Sequence, residues 1–183
     1  MPKKQHEIQK KGNAIEVRIY SEDPFNNFLP NHGKLKYFKE PREENGVRIE
    51  TGVRENDTIS TFYDPMIAKL ITYAPTREEA IDKMKTALQD YKVVGLKNNL
   101  KFLKRVFENG IFRVGEYDTS FIEKNVDTLV AKDKVTAFDK IAAIVCRNHH
   151  KCKDIALPAD LLDFRNVKGK KDHFTISIDE TSF

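Results

Sequence analysis

Gly12-Asn13-Ala14-Ile15-Glu16-Val17-Arg18-Ile19-Tyr20-Ser21-Glu22-Asp23-Pro24 reads as a β-strand that stops at a fixed turn. Ile15, Val17 and Ile19 alternate with Glu16, Arg18 and Tyr20, so one face is apolar and the other carries a pair of opposite charges. Asp23-Pro24 ends the strand, because proline cannot donate to a ladder and restricts the residue before it. A polar face of Glu and Arg beside a rigid turn is suited to holding an anion. The same pattern also describes an edge strand whose Glu16 and Arg18 simply face water, and pattern alone favours that plainer reading.

Downstream, Leu35 to Phe38 and Val47 to Thr51 read as short strands around the polar turn Glu43-Glu44-Asn45-Gly46. Ile59 to Tyr63 and Met66 to Tyr73 make another pair, broken at Asp64-Pro65. Met66 to Tyr73 is nearly continuous apolar, which predicts a central strand covered on both faces, with Lys69 snorkelling or paired at its margin. Thr76-Arg77-Glu78-Glu79 has the form of a capping box, and Ala80, Ile81, Met84, Ala87, Leu88 and Tyr91 recur at helical spacing behind it, with Glu79 and Lys83 one turn apart outside. Val93-Val94-Gly95 ends that element. A second helix spans about Asn99 to Glu108 with Asn109-Gly110 as its stop, and a third begins near Ser120.

The character changes after about Asn125. Val126 to Lys134 reads as a charged connector, and Val135, Phe138, Ile141, Ala142 and Val145 as one more amphipathic helix. Phe174 to Ile178 alternates as a strand. A lone strand needs partners, so residues 126–183 are expected to begin a further domain that is cut short. The fold class is α+β: a small, mostly antiparallel sheet packed against helices, followed by a partial helix-plus-strand segment. Three segments are expected: a polar lead-in at 1–11, the main domain at 12–125, and a linker helix with the truncated start of a following domain at 126–183.

Composition narrows the function classes. The 183 residues are 39% hydrophobic and 33% charged, enough for one proper core under a busy surface. No apolar run approaches the length of a membrane span. Two cysteines make no disulfide framework, which points to a reducing compartment. Basic residues number 32 against 28 acidic ones, interleaved along the chain, so the net +4 is no nucleic-acid footprint.

The opening stretch resembles the signature of the C-terminal domain of the biotin carboxylases, Gly-His-Ala-Ile-Glu-x-Arg followed by Glu-Asp-Pro and then Phe-x-Pro, the last matched by Phe28-Leu29-Pro30. Further segments recur in family order: Val47-Arg48-Ile49-Glu50-Thr51-Gly52-Val53, Tyr63-Asp64-Pro65-Met66-Ile67-Ala68-Lys69-Leu70, Val94-Gly95-Leu96-Lys97-Asn98-Asn99 and Asp118-Thr119-Ser120-Phe121-Ile122-Glu123. Together they cover about residues 12–125. Within the family the chain looks most similar to 3-methylcrotonyl-CoA carboxylase α chains, with propionyl- and acetyl-CoA enzymes close behind. Two positions depart from the family pattern: Asn13 stands where histidine is usual, and Asn98 where threonine is usual. Asparagine keeps a hydrogen-bonding side chain but cannot become cationic.

The resemblance implies a chemistry. Biotin carboxylases use ATP and magnesium to activate bicarbonate, as carboxyphosphate, and load CO2 onto biotin. The ureido ring becomes a nucleophile when its N1 proton leaves, which puts charge on its oxygen and calls for a fixed cation there. Arg18 stands where the family places that arginine, and guanidinium stays charged while offering a planar fork. Glu16 would orient it, and Asp64 occupies a family position near the biotin pocket. Arg48 matches a position at the subunit interface of dimeric members, and reads equally as a solvent-facing strand arginine. The biotin would ride on a carrier domain outside this chain.

The implied partners are the N-terminal and ATP-grasp domains, the carboxyl carrier domain, a carboxyltransferase β subunit and a second copy, with no nucleic acid and no membrane. The family's glycine-rich phosphate loop is not found among the eight scattered glycines, so the chain is expected to be an excised part, inactive alone. The location would be the mitochondrial matrix in a eukaryote and the cytoplasm in a bacterium.

Two other classes stay open: a nucleic-acid module using Lys3-Lys4, Lys10-Lys11 and Lys168 to Lys171, and a non-catalytic dimerisation or interaction module. Cys146, His149, His150 and Cys152 invite a zinc site, but their spacing matches no paired-knuckle pattern, and Cys146 is expected on the last turn of a helix. No metal is assigned.

Overall fold

The computed structural model describes residues 4–131, 136–154, 177–178 and 181–182. In chain order the main strands and helices are β1 (Asn13–Tyr20), β2 (Glu22–Asp23), β3 (Leu29–Pro30), β4 (Gly33–Lys34), β5 (Tyr37–Lys39), β6 (Val47–Thr51), β7 (Thr58–Ile59), β8 (Met66–Ala74), α1 (Arg77–Asp90), β9 (Lys92–Val94), α2 (Leu100–Glu108), α3 (Gly110–Val114), α4 (Phe121–Leu129), α5 (Ala137–Asp154), β10 (Ser177–Ile178) and β11 (Thr181–Ser182). The fold is α+β. The chain divides into two compact units, residues 1–131 and 132–183.

The first unit is built on an antiparallel sheet in the order β1-β8-β6. Register sorts its side chains. Val17 and Ile49 both face Leu70, and Ile19 and Thr51 face Ala68, so one face is mainly apolar. Arg18 and Glu50 both flank Lys69, while Glu16 and Arg48 flank Ile71, so the other face carries the charges. β8 is central, as its composition requires. It is fully covered on one face and partly on the other, which tempers the expectation of two: Ala68, Leu70, Thr72 and Ala74 are buried, whereas on the opposite face Ile67 is buried, Lys69 and Ile71 are half-buried and Tyr73 is exposed.

Helix α1 closes the apolar face. Thr76 accepts the Glu79 amide at 3.3 Å and starts the helix, and Ala80, Ile81, Met84, Ala87 and Leu88 are buried beneath it. Each large apolar side chain so buried stabilises by about 1.5–3 kcal/mol. The Thr72 hydroxyl donates to the Ala80 carbonyl at 3.0 Å and fastens sheet to helix. Lys83 does not pair with Glu79; its ammonium donates to the carbonyls of Asn45 at 2.6 Å and Tyr73 at 3.1 Å.

Other boundaries moved. The chain after α1 forms β9, which pairs antiparallel with β5. The strand read as Leu35 to Phe38 is Tyr37–Lys39, and Ile59 to Tyr63 shrinks to Thr58–Ile59 paired with β4. Helix α2 stops at Glu108 with Asn109 as its C-cap, as expected, but Gly110 then opens α3, with Asn109 also accepting the Ile111 amide at 2.9 Å. The Val126 to Lys134 connector is helical as far as Leu129. Phe112 of α3 stacks on Tyr117 at 4.7 Å, and the Arg77 guanidinium lies over both rings.

In the second unit α5 runs to Asp154, which places Cys146 in mid-helix rather than on a last turn. The side chains of His149, His150 and Cys152 lie outside the described residues, as do 174–176 of the expected strand; its last two residues, Ser177 and Ile178, pair with β11.

Candidate functional site

The charged face of the sheet holds the residues singled out by sequence. Arg18 projects from β1 with 58% of its side chain exposed and its Nε 3.9 Å from Glu16. Strand alternation places both on one face two residues apart, since residues i and i+2 share a side of the pleat. Tyr20, by hydrogen bond and charge, then Glu16 and Asp64, push the Arg18 guanidinium further up from its already high value, so it is a permanent cation. On the far strand Arg48 pairs with Glu50, which also reaches the Lys69 ammonium at 4.0 Å. Two strand spacings, roughly 10 Å, separate the β1 and β6 backbones.

Asp64 sits in the loop before β8, where its carboxylate accepts the Met66 amide at 3.1 Å. Its charge is felt at both Arg18 and Glu22. The structure therefore gathers Glu16, Arg18 and Asp64 at one end of the charged face and leaves Arg48 with Glu50 at the opposite edge. Phe62 and Tyr63, 88% and 84% exposed, stand beside Asp64 as an aromatic tip.

Two members of this cluster were not picked out by sequence reasoning. Burial pushes the Glu22 carboxyl above its ordinary range; a hydrogen bond to Asn99 opposes the shift, and the Asp64 charge adds to it. Asn99 itself is 4% exposed and binds the backbone of Arg18 and Tyr20. Both lie inside motifs already quoted, but neither motif says which of its residues faces the site. The neighbouring Asp23, by contrast, is a fastener: it accepts the Phe25 amide at 3.1 Å and pairs with Lys97 at 2.5 Å. Asn13, in place of the family histidine, donates to the Pro75 carbonyl at 3.3 Å.

Chemically the arrangement offers a permanent cation with exposed donors, a carboxylate 3.9 Å away on the same strand face, the charge of Asp64 felt from the adjoining loop, and open access. It suits an oxygen that becomes negative. The donor set of Arg18 fits a ureido oxygen or bicarbonate. Two cavities lie elsewhere: one of about 720 Å³ between the 39–47 segment and α1, the other of about 380 Å³ beside Gly52 to Glu55. Among the described residues no group of three or more His, Cys, Asp or Glu side chains could hold a metal ion, and Cys146 is an exposed thiol.

Comparison with known proteins bears on the same segment. Residues 16–124 match the family of biotin carboxylase C-terminal domains. The chain is 39% identical over 142 residues to the mitochondrial methylcrotonoyl-CoA carboxylase subunit alpha of Dictyostelium discoideum, covering 78% of this chain and 20% of that protein. It is 45% identical over 122 residues to biotin carboxylase 2 of Bacillus subtilis, covering 67% and 27%. Among solved structures it is similar to the biotin carboxylase domain of a thermophilic 2-oxoglutarate carboxylase bound to bicarbonate, with TM-score 0.69 and 32% identity over 74% of this chain and 30% of that one. The chain thus spans about a fifth to a quarter of the length of these curated relatives.

Proposed function

The chain belongs to the biotin carboxylase C-terminal domain family, and from that premise we propose that it supplies the biotin and bicarbonate side of the carboxylation site in a biotin-dependent carboxylase, an ATP-dependent ligase. The observation that carries the reading is Arg18, an exposed permanent cation on a strand, paired with Glu16 and within the field of Asp64. When bound, biotin supplies the ureido nucleophile and ATP with magnesium the activation of bicarbonate. Arg18 binds the oxygen that gains charge. A guanidinium cannot accept a proton, so Arg18 is an electrostatic catalyst and not the base. Glu16 restrains the guanidinium from the same strand face. Asp64 fixes the rim of the site through its bond to the Met66 amide.

In this reading the parent enzyme is an acyl-CoA carboxylase, most like 3-methylcrotonyl-CoA carboxylase, an enzyme of leucine degradation. The identities to methylcrotonoyl-CoA carboxylase α subunits support that choice; the similar identity to bacterial biotin carboxylases keeps the acyl group open. Biotin arrives on a carrier domain, the ATP-grasp part lies outside this sequence, and a carboxyltransferase β subunit takes the product. The compartment is the mitochondrial matrix in a eukaryote and the cytoplasm in a bacterium. A second reading, a dimerisation module, draws on the network of the exposed Arg48 and Glu50 with the half-buried Lys69 and on a similar structure described as a domain dimer.

Bicarbonate-dependent ATP cleavage with free biotin separates the two. The chain alone is expected to cleave no ATP, and cleavage is expected to appear when the N-terminal and ATP-grasp portion of a relative is added. Cleavage by the chain alone would contradict the division of labour proposed here.

A further inference from the structure

We infer that Asn99 is a positioning residue for Arg18, acting as a one-residue strand on the open edge of β1. The sheet order β1-β8-β6 leaves β1 with β8 on one side only. On its other side the peptide groups of Arg18 and Tyr20 require partners. Asn99 meets three of them. Its Nδ2 donates to the Arg18 carbonyl at 3.1 Å, its Oδ1 accepts the Tyr20 amide at 3.0 Å, and its own amide donates to the Tyr20 carbonyl at 3.2 Å. The orientation of the side chain is dictated, because an N–H can only be met by its oxygen and a carbonyl only by its NH2.

The placement sets Asn99 apart from an ordinary helix cap. It occupies the N-cap position of α2, yet its side chain makes no bond to that helix. Asn98 accepts the Leu100 amide instead, at 3.2 Å. The Asn99 amide is diverted to a strand about eighty residues earlier and is 4% exposed. Its base is rigid, since Leu100, Phe102, Leu103, Val106 and Phe107 of α2 are buried and Phe28 packs edge-on against Phe102. The same side chain draws down the Glu22 carboxyl against the pull of burial. One residue therefore ties the backbone of Arg18 and Tyr20 to the core and bears on the charge of the neighbouring Glu22.

The inference deepens the reading of Arg18 as the charge-stabilising group and rests on it, because a displacement of about 1 Å at such a group can cost on the order of a hundredfold in rate. The test is NMR on the full chain and on Asn99→Ala and Asn99→Asp. In Asn99→Ala the Tyr20 amide is expected to exchange about tenfold faster, while the α1 amides keep their protection. The Arg18 Nε–H signal should shift and the Glu22 titration move upward. Asn99→Asp keeps the acceptor for Tyr20 but not the donor for Arg18, so Tyr20 should stay protected while Arg18 still shifts.

If Asn99→Ala loses protection everywhere, the Asp variant decides. Unchanged Arg18 and Glu22 signals in either folded variant would overturn the inference and leave Asn99 a structural residue. These signals need neither nucleotide nor biotin. A shift of Arg18 without loss of kcat in the reassembled enzyme would therefore count against the functional reading of Arg18, not against its positioning by Asn99.

Discussion

That Arg18 and Glu16 share one face was legible at the scale of single residues, because a period of two sorts β1 into faces without any knowledge of its neighbours, whereas their role was implied only by the family resemblance. Glu22 and Asn99 were not. Their meaning depends on contacts across 79 and 81 positions, between Asn99 and residues Tyr20 and Arg18, which no local pattern announces. Glu22 also carries a testable cost. Its carboxyl is held above the ordinary range, mainly by burial, so the folded chain keeps that proton to higher pH than the unfolded chain. The stabilisation is present at acid pH and is lost as pH rises from the unfolded value through the folded one. Glu22→Gln is therefore expected to raise the melting temperature at pH 7 and to lose this advantage near pH 4. An equal or lower melting temperature at pH 7 would show that burial does not dominate at Glu22.

Elements were legible where one local rule was strong. Helix α1 has a cap and a stripe, and β6 falls on the bounds its alternation gives. β9 escaped notice because Lys92-Val93-Val94 is short, directly follows a helix, and is a strand only by pairing with Tyr37–Lys39. Gly95 then turns the chain with φ +116, where an added Cβ would strike the Lys34 carbonyl. Gly95→Ala is expected to destabilise the chain by about 1–3 kcal/mol, read from denaturant unfolding. Helix α4 is capped from further out than its first residues indicate: Asp118 accepts the Ser120 amide and hydroxyl and pairs with Lys124 at 3.1 Å. Those bonds, the Ser120 hydroxyl foremost, hold its carboxyl down at about 2 from 3.8. The cap is thus complete above the unfolded value and fails as pH falls through about 2, and Asp118→Asn should remove that acid-dependent change in the Ser120 amide signal.

For the whole molecule, the α+β class followed from alternating strands and amphipathic helices. The partial covering of β8 did not, because an apolar run alone cannot say which neighbours are present. On the proposed function, the charged outer face of the sheet is the surface that would meet the remaining parts of the enzyme. In the same proposal, Arg18 stabilises the oxygen that becomes negative in biotin carboxylation. The most direct measurement is biotin-dependent turnover of the enzyme reassembled from this chain and the remaining biotin carboxylase portion, comparing wild type with Arg18→Ala and Arg18→Lys. Arg18→Ala is expected to lower kcat by about a hundredfold or more with the KM for ATP unchanged, and Arg18→Lys to recover only part of it. Turnover indifferent to both substitutions in a reassembled, active enzyme would contradict the account.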